Sequence, residues 1–445
     1  MKLSLPLALF AMLCSGLGLA VAAEPPFPLK DGDVWVMAGD SITAQHLHSN
    51  YFEAFCFARY PQLKFAFRNS GVGGHTIPST LARFDYDIAA WKPTVVSVEL
   101  GMNDQGGTAT DKFVANMKTM VERIRSTPAR PVILSASPIN NGATSAKLGG
   151  NQRLNDYAIA LKEFTAGEQI PYADQFHALV DVWGLNKPRE NLANALVPLG
   201  NIANDETVAG VKHLRQFLAA QADDPRKAVS MQGDAVHPGP NGQLMMAAAL
   251  LKSLGADGFV SSVTIEGGKV VETKGCRVDG LHASNNGFEF DRIDERLPFP
   301  IPDGTVDVLP LYPTIEELSQ YLVTVKGLGR GPYVVGINGV PLGTLTHEQL
   351  AAGVNLTSLI HQPAKPDAPN ALLQQSRAIL NAVAQKEGLV GQWRGLSKNA
   401  IAEGAPAELK LQLAELTKRV EEADVKIRDA ARPQKLRFSI MPTYK

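Results

Sequence analysis

Ser41, in the segment Ala38-Gly39-Asp40-Ser41-Ile42-Thr43, and His237, in Gly233-Asp234-Ala235-Val236-His237-Pro238-Gly239-Pro240-Asn241-Gly242, are the side-chain types that acyl transfer needs. A serine hydroxyl is a weak nucleophile until an imidazole takes its proton. Asp234 stands three residues before His237 on a predicted loop. Both can therefore face the nucleophile, with the carboxylate holding or assisting the imidazole. Two further segments offer donors for a developing oxyanion. Asn69-Ser70-Gly71-Val72-Gly73-Gly74-His75-Thr76 carries three glycines in four positions, so its backbone can turn tightly and aim an N–H at a bound oxygen. Leu100-Gly101-Met102-Asn103-Asp104 puts Asn103 at the end of a predicted strand, where its side-chain amide can point into the same crevice.

Each segment also has a plainer reading. Ser41 could be a helix N-cap, the glycine run a loop without a ligand, and Asn103 an Asx turn. Most single histidines are surface or satisfied core groups. For His237 the nearby Asp234, the Pro-Gly that follows and the helix start favour the chemical role. A dinucleotide site is excluded, because the first βα turn carries Gly39-Asp40-Ser41 and no glycine series. What singles the four segments out is their order and their placement at successive strand ends.

In that order they resemble the four motif blocks of the SGNH, or GDSL-type, hydrolase family. Gly39-Asp40-Ser41 matches the first block and its nucleophile, and Asn69-x-Gly71-x-x-Gly74 the second, which places the oxyanion glycine at Gly74. Gly101-x-Asn103-Asp104 matches the third and Asp234-x-x-His237 the last, with no departure at the four signature positions. The resemblance covers about residues 31 to 255. It implies an α/β core with a flavodoxin-like doubly wound parallel sheet. The catalytic residues it implies are Ser41, Asp234 and His237, and the oxyanion hole is made by the Ser41 and Gly74 backbone N–H groups and the Asn103 side chain. The implied chemistry is two-step ester hydrolysis through an acyl-enzyme, for which no metal or organic cofactor is required. Asp40 is expected to orient the Ser41 loop or cap backbone N–H groups.

Family substrates include lipids, thioesters and acylated sugars. By analogy with exported members, the expected substrate is a short acyl ester, acetyl above all, on an extracellular carbohydrate. The alternatives are a lipase- or thioesterase-type acylhydrolase of the same mechanism, and a non-catalytic envelope or glycan-binding protein. The intact Ser, Gly, Asn and His set argues against the last. Two observations lean towards a sugar: no exposed amphipathic helix with a Trp or Phe face is legible near the blocks, and aromatic residues make up only 7%. The stretch from Gly184 to Val229, with Trp183, Asn186, Asn191 and Asn201, is expected either to line a sugar-accepting cleft or to cover one sheet edge.

The elements that must position these residues alternate from Asp33 to about Gly255, the pattern of a parallel sheet covered by helices. Strands are predicted at Val34 to Ala38, Phe65 to Arg68, Val95 to Leu100, Val132 to Ala136 and Pro171 to Ala173. Helical spacing links Leu47, Tyr51, Phe52 and Phe55, and again Phe113, Met117, Met120 and Ile124. Further helices fit Asn151 to Thr165 and Asn241 to Leu254, while Gly184 to Val229 reads as polar turns. Beyond Gly255, β-branched runs at Val260 to Ile265, Val270 to Thr273, Tyr321 to Val325 and Tyr333 to Ile337 predict a small antiparallel β unit. Asn338-Gly339 is its tight hairpin turn. After a Pro-rich joint at Pro363 to Pro369, helices are predicted over 370–387 and 406–431, the second with an alternating charge pattern that reads as a solvated face. The resulting division is a leader over 1–23, the hydrolase unit over 24–255, an accessory β unit over 256–360 and a helical region over 361–445.

Composition bounds the rest. At 445 residues the chain is long enough for two or three units, and 45% hydrophobic with 20% charged residues is ordinary for a globular protein. Lys plus Arg number 43 against 44 Asp plus Glu, so nothing would neutralise a phosphate backbone and a nucleic-acid partner is not expected. Residues 1–23 have one Lys, an apolar run and a small-residue end at Ala20-Val21-Ala22-Ala23, which reads as a secretory signal peptide. Pro6, Gly16 and Gly18 disfavour a membrane anchor, and bulky Met12 and Leu13 disfavour lipoprotein processing at Cys14. No later run spans a bilayer, so the mature chain is expected outside the cytoplasm, secreted or periplasmic. Cys56 and Cys276 could pair, and the sequence sets no oligomeric state. His46, His48, Glu53 and His75 could suggest a metal site, but helical spacing puts His46 and His48 about 200° apart, so a polar helix surface is the better account. His282, His347 and His361 are expected to be exposed.

Overall fold

The computed structural model describes residues 27–222, 228–284, 287–362 and 368–443. The leader expected at 1–23, with Cys14, and residues 363–367 of the Pro-rich joint lie outside the described residues. The first half runs β1 (Asp33–Gly39), α1 (Ser41–Ala44), α2 (His48–Arg59), β2 (Phe65–Gly71), α3 (Ile77–Leu81), α4 (Phe84–Asp87), β3 (Val95–Glu99), α5 (Thr110–Arg125) and β4 (Arg130–Leu134). It continues with α6 (Gln152–Gly167), β5 (Tyr172–Ala173), α7 (Gln175–Ala203), α8 (Val211–Ala222) and α9 (Pro240–Ser253). The five strands pair in parallel in the order β2-β1-β3-β4-β5, the flavodoxin-like doubly wound arrangement.

Side chains alternate across β1, an inner strand of this sheet. Trp35 and Met37 pack with Phe52 and Phe55 of α2 and with α9, while Val36 and Ala38 pack with Phe113, Met117 and Met120 of α5. Both faces are thus apolar, and the strand ends are left to carry polar chemistry.

The stretch expected as polar turns is instead helical: α7 runs on through Pro188 and Pro198, and α8 returns against it. Trp183 and Asn186 do not line a cleft. Trp183 is buried with its indole N–H on Met245 Sδ at 3.2 Å, and Asn186 exchanges hydrogen bonds with the backbone of Val229. Asn191 and Asn201 are exposed.

Beyond α9 come β6 (Phe259–Glu266), β7 (Lys269–Lys274), β8 (Cys276–Ser284), β9 (Gly287–Asp294), α10 (Thr314–Glu317), β10 (Gln320–Lys326), β11 (Pro332–Ile337), β12 (Val340–Thr346), α11 (His347–Ala352), β13 (Val354–Asn355) and α12 (Thr357–His361). They form two sheets. One has the order β13-β10-β6-β7 and contains a parallel β6–β10 pair; the other, antiparallel throughout, runs β12-β11, then the chain's last strand β14 (Lys435–Pro442), then β9-β8. Asn338 and Gly339 turn the β11–β12 hairpin with φ of 50° and 78°.

The chain ends in a helical pair, α13 (Ala371–Ile401) and α14 (Ala407–Ala430), followed by β14 (Lys435–Pro442). That last strand is the centre of the five-stranded sheet, so the C-terminal region is not helical to its end. The helical pair also packs on the α/β unit. Val390 and Trp393 of α13 and Leu416 and Val420 of α14 join the α5-side core, and Trp393 stacks on Trp91 with ring centroids 3.7 Å apart. The charged face expected of α14 is not all solvated, because Asp424 is buried and takes both terminal nitrogens of Arg68, at 3.0 and 2.7 Å. Among the described residues no helix is long and apolar enough to cross a membrane.

Candidate active site

Ser41 opens α1 at the C-terminal end of β1. The helix cap is Asp40, whose Oδ1 accepts the Ile42 N–H at 2.9 Å, so the Ser41 hydroxyl is left free of capping. That hydroxyl donates to His237 Nε2 at 2.8 Å. His237 Nδ1 lies 3.0 Å from Asp234 Oδ2 and 3.2 Å from Oδ1. An ionised carboxylate only accepts, so the ring proton sits on Nδ1 and Nε2 keeps the lone pair that faces serine. Asp234 Oδ1 also accepts the backbone N–H of His237 at 2.6 Å and of Val236 at 2.7 Å. These donors, the His237 backbone and side chain first, lower the Asp234 pKa and keep it charged at neutral pH.

The glycine-rich segment leaves β2 and passes over this serine. A Cβ on Gly71 would run into the backbone of Thr43 and Ala44, and one on Gly73 would lie 3.9 Å from the Ser41 Cβ. Gly74 has φ +74°, a conformation that needs glycine, in open space. Asn69 fixes the start of the loop: its amide donates to Thr43 O at 2.7 Å and Ser49 Oγ at 2.8 Å, and its oxygen accepts the Gly71 N–H at 2.8 Å. The Asn103 amide donates to His75 O at 3.1 Å and Asp40 Oδ2 at 3.3 Å. The structure thus links Ser41, His237 and Asp234 in one hydrogen-bonded chain. Asn103 and the Gly74 loop stand on the same side through Asp40 and His75.

Behind Ser41 is a buried polar group that the sequence reading did not recognise. His48 Nε2 lies 2.9 Å from Glu99 Oε2, its Nδ1 is 2.7 Å from Gln243 Oε1, and Thr43 Oγ1 donates to Glu99 at 3.0 Å. Burial and then the charge of Glu99 push Asp40 up to about 7. Burial opposes the charged form of His48, but the Glu99 carboxylate outweighs it and raises the His48 pKa. The polar surface expected around His48 and Glu53 is therefore an interior, while His46 is half-buried. His46 faces Glu387 and Glu53 pairs with Lys386, while His75 Nδ1 accepts from Arg83 Nε at 3.2 Å, so these side chains have separate partners. Among the described residues no group of three or more His, Cys, Asp or Glu is placed to hold a metal ion. His282 is exposed and His347 half-buried, but His361 is buried, and that burial lowers its pKa to about 4. Cys56 and Cys276 are free thiols, the first buried on α2 and the second on β8.

Three charged residues near the site also escaped the sequence: Arg83, Asp87 and Arg394. Arg83 and Arg394 both pair with Asp87, and Arg394 Nη1 donates to Gly71 O at 3.0 Å. No local signal marks them, because Arg394 is 323 residues from the carbonyl it holds.

Residues 37–192, which include Ser41, Gly74 and Asn103, match the GDSL-like Lipase/Acylhydrolase family. The chain carries an SGNH, or GDSL-type, hydrolase domain. A curated acetylxylan esterase of Geobacillus stearothermophilus is 25% identical to it over 134 residues, 28% of this chain and 61% of that protein, so the match spans less than two thirds of that relative. A solved gut microbial diltiazem-metabolizing enzyme superposes with a TM-score of 0.67 at 20% identity, covering 94% of this chain and 99% of the other. That likeness is one of fold, and it extends from the SGNH domain over the β sheets and the helical pair. A solved acetylxylan esterase from Geobacillus stearothermophilus covers 51% of this chain and 95% of its own at 17% identity, with a TM-score of 0.37, too low to bear on the SGNH domain's geometry.

Proposed function

We propose that the chain is a serine ester hydrolase working through an acyl-enzyme. The carrying observation is the Ser41–His237–Asp234 chain, with Ser41 Oγ donating to His237 Nε2 at 2.8 Å. In this reading His237 takes the hydroxyl proton as Ser41 Oγ attacks the ester carbonyl, and Asp234 holds the imidazole and stabilises its charged form. The tetrahedral oxyanion is received by the Ser41 and Gly74 backbone N–H groups and the Asn103 amide. The 3.3 Å contact from Asn103 to Asp40 is the longer of its two bonds, and it is the one an arriving oxyanion would replace. His237 returns the proton to the leaving alcohol, and water repeats the sequence to release the acid.

The substrate we favour is a short acyl ester, acetyl, on a carbohydrate met after export through the 1–23 leader. The matched acetylxylan esterase supports this reading. One observation favours a second reading, hydrolysis of longer acyl chains by the same mechanism. The α7–α8 hairpin exposes Leu185, Leu192, Val197, Ile202 and Phe217. Its α7 arm is tied to the base of the His237 loop, where Glu190 Oε1 accepts the Met231 N–H at 3.1 Å. Turnover of acetyl, butyryl and long-chain p-nitrophenyl esters, beside acetate release from acetylated xylan, separates the two. A steep fall beyond butyryl with acetate release supports the carbohydrate esterase; a preference for eight or more carbons replaces it with the acylhydrolase.

A further inference from the structure

The peptide between Gly71 and Val72 is the entry to the glycine-rich loop, and it is gripped at both ends. Its N–H, on Val72, donates to Gly39 O at 3.1 Å, the carbonyl two residues before Ser41. Its carbonyl, on Gly71, accepts from Arg394 Nη1 at 3.0 Å. Arg394 is itself fixed by two bonds to one carboxylate, Nε to Asp87 Oδ1 at 2.6 Å and Nη2 to Asp87 Oδ2 at 2.8 Å, with Arg394 17% exposed and Asp87 5%. Such a fork-on-fork pair sets direction as well as distance. Asp87 is shared with Arg83 and with Ser70 Oγ, the latter at 2.9 Å. Arg83 in turn reaches Gly39 O at 3.4 Å and His75 Nδ1 at 3.2 Å. The residues before and after the Gly73-Gly74 turn, and the backbone before the nucleophile, are thus all tied to one Arg–Asp–Arg group. One of its three members belongs to the C-terminal helical pair. The neighbouring Trp393 stacks on Trp91.

We infer that Arg394 is a positioning residue for the oxyanion loop, so that the C-terminal helical pair is a working part of the active site. The inference rests on the esterase reading above. Arg394 touches no reacting atom in that mechanism; it fixes the Gly71–Val72 peptide plane and, through it, the direction of the Gly74 N–H. Oxyanion donors act by being held where charge develops, so their loosening is felt in the transition state and little in substrate binding.

The test is p-nitrophenyl acetate hydrolysis by the full chain carrying Arg394→Gln, Arg394→Lys or Arg377→Gln, with the melting temperature of each. Displacement of a donor by about 1 Å costs about 10²-fold in rate. Arg394→Gln and Arg394→Lys are expected to lower kcat by that order at unchanged KM, with a parallel loss in the rate at which a fluorophosphonate labels Ser41. Lysine keeps the charge beside Asp87 but cannot hold the carboxylate with two nitrogens and Gly71 O with a third, so it is expected to restore the melting temperature without restoring kcat. If Arg394→Gln does not fold, Arg394→Lys decides. Arg377 lies on the same helix and pairs with Asp303 at the surface, so Arg377→Gln is expected to keep the wild-type kcat. Wild-type kcat in Arg394→Lys, or a change confined to KM, overturns the inference alone. Absence of Ser41-dependent turnover in the wild-type chain would sink the esterase reading and this inference with it.

Discussion

Ser41 and the glycine-rich loop, the proposed nucleophile and oxyanion side, are anchored on polar groups buried beneath them, while His237 and Asp234, the proposed base and its carboxylate, are carried on an exposed loop. Around Ser41, the polar groups of Asp40, Asn69, Ser70, Asp87, Glu99 and His48 are all buried and tied to one another or to backbone. Around His237 the side chains are open, 35% exposed for the imidazole and 66% for Asp234. Their loop is shaped by its own backbone: Asp234 accepts two loop N–H groups, Asn140 N–H donates to Ala235 O at 2.8 Å, and Gly239 N–H donates to Met231 O at 2.7 Å. The difference follows from what each half does in the proposed mechanism. Donors for a developing charge gain most when they cannot reorganise, whereas a base that must exchange protons with alcohol and water works at the edge.

Four substitutions sharpen or break that contrast. His237→Ala removes the base hydrogen-bonded to Ser41 Oγ and is expected to lower kcat by about 10⁴-fold or more, measured on p-nitrophenyl acetate with the melting curve unchanged. A small loss would mean that another group takes the serine proton. Asn103→Ala takes one donor from the firmly anchored half and is expected to cost about 10² to 10³ in kcat at constant KM; a rise in KM alone would make Asn103 a ground-state contact. Asp234→Asn keeps the loop-shaping Oδ1 and loses the charge in the exposed half, where water screens it. The expected loss is about 10²-fold, the low end for general acid–base partners. A loss as large as that of His237→Ala would show that Asp234 acts as if buried, and the contrast would fail.

The last effect is on stability rather than rate and belongs to Asp40. Its folded pKa is raised from 3.8 to about 7, so the folded chain holds a proton that the unfolded chain releases near 3.8. Asp40 therefore costs stability progressively as pH rises from about 4 to 7, and the cost is constant above that range. Asp40→Asn has no such titration, so its stability relative to the wild type is expected to rise across this window, by about 3 kcal/mol between pH 5 and pH 8. Parallel urea curves at pH 5 and pH 8 check it. A difference that does not move with pH would place Asp40 in solvent.

The four blocks were legible because each lies at the edge of an element: Ser41 after β1, the Gly71 to Gly74 run at the end of β2, Asn103 after β3, and His237 just before α9. Local pattern was enough to order them. What escaped is what the chain brings back from far away. Arg394 and β14 act on partners more than a hundred residues upstream, and neither an arginine on a helix face nor a short β-branched run says where it will dock. Pro188, Pro198 and the asparagines around them read as turn formers, yet α7 is carried through them, so the exposed apolar hairpin beside the His237 loop was invisible. His48 and His361 looked like surface residues because polarity is the stronger prior. Burial is decided by partners such as Glu99 and Gln243, which only the fold supplies.

The most direct test of the account is a rapid acid quench of the enzyme turning over p-nitrophenyl acetate, followed by peptide mapping by mass spectrometry. The account predicts one acetyl group, on the peptide containing Ser41, that builds up in Asn103→Ala no faster than in the wild type and is absent from Ser41→Ala. Acetylation at another residue that is kinetically competent, or wild-type turnover by Ser41→Ala without any acyl-enzyme, would contradict it.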